Sequence, residues 1–124
     1  MRERGWGRIV NVSSGIAAHP ETMIGGNSYA TTKAALEAHT VNLAAEVAGT
    51  GVTVNIYRPG SVDTAMQAWI RRQDPAQIGE QLHARFVGFR DQGTLIAPDI
   101  SGRALVAHLS SADNGQVWNV TDKL

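Results

Sequence analysis

Residues 27–49, "NSYATTKAALEAHTVNLAAEVAG", place Tyr29 and Lys33 four positions apart in the first two turns of what reads as one helix. A phenol is a weak base at neutral pH, because its ordinary pKa is about 10, and a nearby cation favours the phenolate. Side chains at i and i+4 are neighbours on a helix surface, so Lys33 can bias Tyr29 electrostatically. A hydroxyl at a strand end, Ser13 or Ser14 of "RIVNVSS", can hold a substrate oxygen. Together these groups make a proton-transfer site for a carbonyl or an alcohol. A Tyr and a Lys also fall four apart by chance in many helices, where the Tyr caps the core and the Lys is a solvated charge.

The elements that must position these groups alternate. Residues 8–14 are β-rich and read as a strand, ended by Gly15; residues 15–28, rich in Gly, Pro, Asn and Ser, read as a loop. In the helix that follows, Leu36, Thr40, Leu43, Ala44 and Val47 define a core-facing stripe, with Asn27 or Ser28 as N-cap and Gly49 as stop. Residues 51–60, "GVTVNIYRPG", read as a second strand closed by Pro59-Gly60. Residues 63–90 suggest two short helices with a break near "QDPAQ". Residues 97–111 suggest a helix with Pro98 in its first turn and Ile100, Ala104, Leu105 and Leu109 facing inward, and residues 116–121 a last strand. Strands separated by helical crossovers predict a parallel sheet covered by helices, with the ligand crevice outside the carboxyl ends of the strands. Ser13, Ser14, Pro59, Gly60 and the loop feeding Tyr29 all fall at such ends.

Bulk composition narrows the function classes. The chain has 124 residues, a single domain's worth, and an apolar share of 43%, enough for a real core. Eleven basic residues balance 11 acidic ones, which argues against a nucleic-acid partner. There is no cysteine, hence no disulfide and no thiol chemistry. No apolar run reaches the roughly 18 residues of a membrane span, and the expectation is a cytoplasmic protein without a membrane partner. The four histidines, at 19, 39, 83 and 108, show no metal-binding spacing, so no metal is expected.

"GRIVNVSS", then "YATTKAAL", then "VTVNIYRPGSVDTAM", in this order, resemble the short-chain dehydrogenase/reductase family. The resemblance runs from about Gly7 to the C-terminus, where "NGQVWNV" is similar to the family's last strand. It implies a three-layer Rossmann-like α/β fold and hydride transfer between NAD or NADP and a secondary alcohol or carbonyl. Position by position it implies Ser14 as the residue that hydrogen-bonds the substrate oxygen and Tyr29 as general acid/base. Lys33 is implied to hold the nicotinamide ribose and favour the Tyr29 phenolate. In "PGSVDT", Pro59 and Gly60 shape a turn around the cofactor, the Val62 backbone faces the nicotinamide amide, and Thr64 reaches the diphosphate.

The family's glycine-rich phosphate-binding turn has no counterpart here, since "GWG" precedes the first strand and opens no helix. The resemblance is therefore expected to cover only the family's C-terminal, catalytic half. The fold expected is a partial parallel sheet of three strands with flanking helices over residues 1–124, with the N-terminal dinucleotide-binding half missing. Strand 8–14 would then present an unpaired edge. Either another chain covers it or the start is internal to a longer protein. Helix 28–48, with Ala35, Ala38, Asn42 and Ala45 outward, or the strand edge itself, would mediate a homo-oligomer.

Two functional readings follow. One is the oxidoreductase, or its catalytic half, acting on a small-molecule alcohol or carbonyl. The other is a truncated, inactive remnant serving as an oligomerising or scaffold module. Several residues have ordinary explanations: Glu37 and Glu46 as helix charges, Asp63 as an N-cap, Arg71 and Arg72 as solvated, and Trp118 as core. Trp69, with Met66 and Ile70, forms either part of a lid over substrate or the apolar face of a short helix.

Overall fold

The computed structural model describes residues 1–122, so the last two residues of the expected 1–124 domain lie outside the described residues. Three strands form one parallel sheet in the order β1 (Gly7–Val12), β2 (Val52–Arg58), β3 (Val117–Asn119). Between β1 and β2 runs α1 (Asn27–Glu46), and between β2 and β3 run α2 (Ala65–Arg71), α3 (Pro75–Ile78), α4 (Glu80–Asp91) and α5 (Pro98–His108).

β2 is the centre. Residues 52–57 are all buried, Val54 and Ile56 almost wholly, as expected of a strand paired on both edges and covered on both faces. Alternation along the strand divides the two layers. Val52 and Val54 pack with Ile9 against Leu43 and Ala44 of α1 and Val47 at its C-terminal cap. On the opposite face, Tyr57 donates its hydroxyl hydrogen to the Ser101 carbonyl of α5 at 2.7 Å, and Trp118 stacks on His108, ring centroids 4.8 Å apart.

Two buried or half-buried amides tie this core together from within the protein, while the Thr53 hydroxyl of β2 is buried without a partner among the described residues. Asn55, 1% exposed, donates to the Asp113 carbonyl and accepts from the Gln116 N–H. Asn114 accepts from the Val54 N–H and donates to the Ala44 carbonyl. The turn at 112–115 is thereby bonded to both the central strand and the long helix, which fixes where β3 begins.

Several expectations about elements change. Helix 97–111 keeps Ala104 and Leu105 half-buried but exposes Ile100 (53%) and Leu109 (37%); Ser101 and His108 are buried instead, because that face meets a phenol and an indole rather than aliphatic side chains. The stretch 63–90 holds three helices, not two, with Gly79 dividing α3 from α4. The N-cap of α1 is Gly26, and neither Asn27 nor Ser28 caps it. β1 has no partner on its outer edge among the described residues, and Val12 is 47% exposed.

The α1–β2 connection tests close packing. Gly51 has φ +77°, and a Cβ there would collide with the Gly5 carbonyl; at Gly49, also φ +77°, a Cβ would meet nothing. Gly49→Ala should therefore cost about 1 kcal/mol from the left-handed backbone alone, and Gly51→Ala at least about 2 kcal/mol because Gly5 must also move. Urea unfolding of the two variants side by side checks the difference.

Candidate functional site

α1 presents Tyr29, Lys33 and Glu37 at successive i+4 positions, so one stripe of the helix carries all three. The Lys33 ammonium donates to the Val12 carbonyl, the last residue of β1, at 2.9 Å, and lies 5.7 Å from the centroid of the Tyr29 ring. An ammonium has three donors, so Lys33 keeps donors beyond the one that anchors it. Tyr29 is 38% exposed, and its hydroxyl takes no partner among the described residues.

Ser14 follows β1 and caps the short turn Gly15–Ala17: its Oγ accepts from the Ile16 N–H at 3.3 Å. Accepting leaves the hydroxyl hydrogen free, which is the part needed to hold a carbonyl oxygen. Ser13, the neighbouring candidate, is 2% exposed. Its hydroxyl lies close enough to Glu37 to favour the ionised carboxylate, yet makes no hydrogen bond of normal geometry.

Beyond β2 the chain turns through Pro59 and Gly60 and passes beside Ile96. Ile96 donates to the Ser61 carbonyl at 2.8 Å and accepts from the Asp63 N–H at 2.9 Å. Val62 lies between these bonds, and its own N–H and C=O have no partner among the described residues. A buried backbone seeks partners, so this half-buried residue offers one donor and one acceptor to a ligand. Thr64 caps α2 by accepting from Gln67 N–H. Asp63, expected as the N-cap, instead faces Arg71 at 3.9 Å, and the Arg71 side chain, expected to be solvated, is only 12% exposed and also reaches Gln67.

All seven residues proposed from the sequence line one cavity of about 950 Å³: Ser14, Tyr29 and Lys33 from the β1–α1 segment, Pro59, Gly60, Val62 and Thr64 from the segment after β2. Trp69, Met66 and Ile70 of α2 line it as well. Among the described residues no cluster of His, Asp and Glu is placed to hold a metal ion, and no helix is long and apolar enough to cross a membrane.

Two supporting contacts escaped the sequence. Arg58, the last residue of β2, grips Glu37 through two parallel bonds of 2.9 and 2.7 Å, with both side chains under a fifth exposed. Glu37 is thus no ordinary helix charge; it ties the helix bearing Tyr29 to the strand that leads into the Pro59 turn. Ser101 of α5 donates to the Pro59 carbonyl at 3.0 Å, holding the turn from the other side. The signal for the first was present: Glu37 continues the Tyr29–Lys33 stripe, and Arg58 directly precedes Pro59.

The short chain dehydrogenase family model matches residues 1–75, three-fifths of the chain, including every one of the seven residues. The chain belongs to the short chain dehydrogenase family. It is 37% identical over 115 residues to the acetoacetyl-CoA reductase of Cupriavidus necator, covering 93% of this chain and 42% of that one. Among solved structures, the KRED1-Pglu enzyme superposes with a TM-score of 0.79 at 27% identity, covering 94% of this chain and 48% of the other. A variant of the actinorhodin polyketide ketoreductase with NADPH superposes at 0.66 with 30% identity, covering 95% and 47%. This short chain dehydrogenase chain spans about half the length of the relatives it matches.

The comparisons correct one expectation. A C-terminal half only, with the dinucleotide-binding half missing, does not hold, because the family match falls on residues 1–75, the N-terminal part of this chain. The physical reason is that β1, α1 and β2 already form a strand–helix–strand unit with its own crevice at the strand ends. A missing glycine-rich turn does not decide which half such a unit is. The fold is a partial Rossmann-like α/β arrangement with three parallel strands.

Burial works against the Glu37 carboxylate, but the bonds from Arg58, aided by Ser13, outweigh it and hold the carboxyl below its ordinary value of 4.5. A depressed folded-state pKa gives a contribution fully present above the unfolded value and lost as pH falls through the folded one. Glu37→Gln should therefore lower stability by about 2 kcal/mol at neutral pH, leaving Arg58 unpaired. The gap between variant and wild type should narrow as pH falls below the ordinary carboxylate value and close only once pH has passed the lowered folded-state value. Thermal unfolding across pH 3–7 checks both.

Proposed function

We propose that the chain is an NAD(P)-dependent oxidoreductase, or the part of one that carries its catalytic residues, interconverting a secondary alcohol and a carbonyl. The observation that carries this is the convergence of Ser14, Tyr29, Lys33 and the 59–64 segment on one cavity. In this reading Ser14 donates its free hydroxyl hydrogen to the substrate oxygen. Tyr29 gives that oxygen its proton in reduction and removes it in oxidation. Lys33, anchored on Val12, stabilises the resulting phenolate and offers its remaining donors to a ribose.

The cavity's donor set fits a nicotinamide end. The unpartnered N–H and C=O of Val62 match the acceptor and donor of a carboxamide, Pro59 and Gly60 shape the turn, and Thr64 stands at the edge. When bound, the dinucleotide supplies the hydride, so the carbonyl π bond is lost as the proton arrives from Tyr29. We also propose a homo-oligomer, through helix 28–48 or the strand 8–14. Support comes from the bare outer edge of β1 and from Val41, 52% exposed on α1.

NADPH and NADH titrations, followed by fluorescence, test the reading. Saturable binding that Lys33→Ala weakens is the expected result. Tyr29→Phe should keep that binding while lowering ketone reduction by about 10²–10⁴-fold. A folded sample that binds neither nucleotide would overturn the oxidoreductase and favour a scaffold module. A solution mass of one 13.2 kDa chain would overturn the oligomer.

A further inference from the structure

The cavity has a side that the proposed proton transfer does not use. α2 and α4 contribute Met66, Trp69, Ile70, Leu82, Phe86 and Phe89 to its lining. Met66 and Trp69, one turn apart on α2, are 59% and 55% exposed although they border a concave site. Large apolar side chains held against water at a cavity carry a hydration cost that an apolar ligand removes. Phe86 and Phe89 meet edge to face, centroids 5.8 Å apart and planes at 77°, which fixes their orientation before any ligand arrives.

Charge points the same way. No Asp or Glu lines the cavity, so nothing there would balance an ammonium group. Of its two cations, Lys33 belongs to the Tyr29 end. Arg85 spends one of its donors on the Thr22 carbonyl and lies 5.3 Å from the Phe89 ring centroid. The Gln67 oxygen accepts from Arg71 and the Gln73 amide nitrogen donates to the Trp69 carbonyl, so each amide keeps only its other end for a ligand. Against Ile70, Leu82, Phe86 and Phe89, which offer no side-chain hydrogen bond, a substrate's hydroxyls would be buried unpaired.

We propose that the site takes an uncharged ketone bearing an apolar, ring-containing substituent, with the ring seated between α2 and α4 against Trp69 and the phenylalanine pair. This deepens the oxidoreductase reading and rests on it for what happens to the carbonyl. Flat rings are favoured over plain alkyl chains because Trp69, Phe86 and Phe89 offer faces and edges to stack on.

Calorimetric titration of the full chain with propiophenone and with fructose, each with and without NADPH, tests the proposal. Propiophenone should bind saturably, and fructose should not at the same concentrations. Trp69→Ala should weaken propiophenone about fivefold or more, and Met66→Ala should weaken it less. Both residues are solvent-exposed, and a circular-dichroism melt verifies that the variants fold. Fructose binding as tight as propiophenone, no propiophenone binding, or binding indifferent to both variants would overturn the proposal. The two readings fail separately. Propiophenone bound but never reduced leaves the substrate class standing and sinks the oxidoreductase. Fructose reduced without propiophenone binding does the reverse.

Discussion

The paired bonds between Glu37 and Arg58 set the arrangement on which the site depends. Apolar contact between α1 and the sheet is non-directional, and a helix that rests its Leu43 and Ala44 on Ile9, Val52 and Val54 has little in that contact to set its rotation. Directional bonds supply the register. Asn11 donates to Thr40 at 2.9 Å, Thr40 donates to Leu36 C=O, and Lys33 reaches the Val12 carbonyl. With Glu37 added, one helix is fastened to two neighbouring strands at several points along its length. A planar guanidinium meeting a carboxylate two-for-two tolerates less rotation than any single bond among them.

The second half of the chain answers the first with a different device. There Asn55 of β2 and Asn114 of the turn before β3 are each matched within the protein. α5 then closes over Tyr57 and hands its Ser101 hydroxyl to the Pro59 carbonyl. The Pro59–Gly60 turn is consequently held from both faces of the sheet, by Arg58 through α1 and by Ser101 through α5. A turn so braced keeps Val62 and its neighbours in place while the rim of the cavity, made from short helices, carries the apolar wall.

Much of this was legible before any coordinates. The strands and long helix follow from period and turn residues, and Ser14, Tyr29 and Lys33 line one cavity because each lies at a carboxyl strand end or on the helix leaving it. Illegible were the partnerships across distance. Glu37 and Arg58 are 21 positions apart, and nothing in either local pattern names the other. Ile100 and Leu109 followed helical spacing yet face outward, because the surface beneath α5 is aromatic and polar and selects Ser101 and His108. The absent glycine turn misled in a related way, since a motif's absence says nothing about what a strand–helix–strand unit can still arrange at its open end.

One consequence follows from the bond pattern around Val62. Its N–H and C=O point free because the flanking residues spend theirs on Ile96. Recognition through such groups would be written in the main chain and blind to which side chain occupies the position, proline excepted. A substitution at 62 other than proline would leave that donor and that acceptor in place, so a ligand reading them would meet the same backbone.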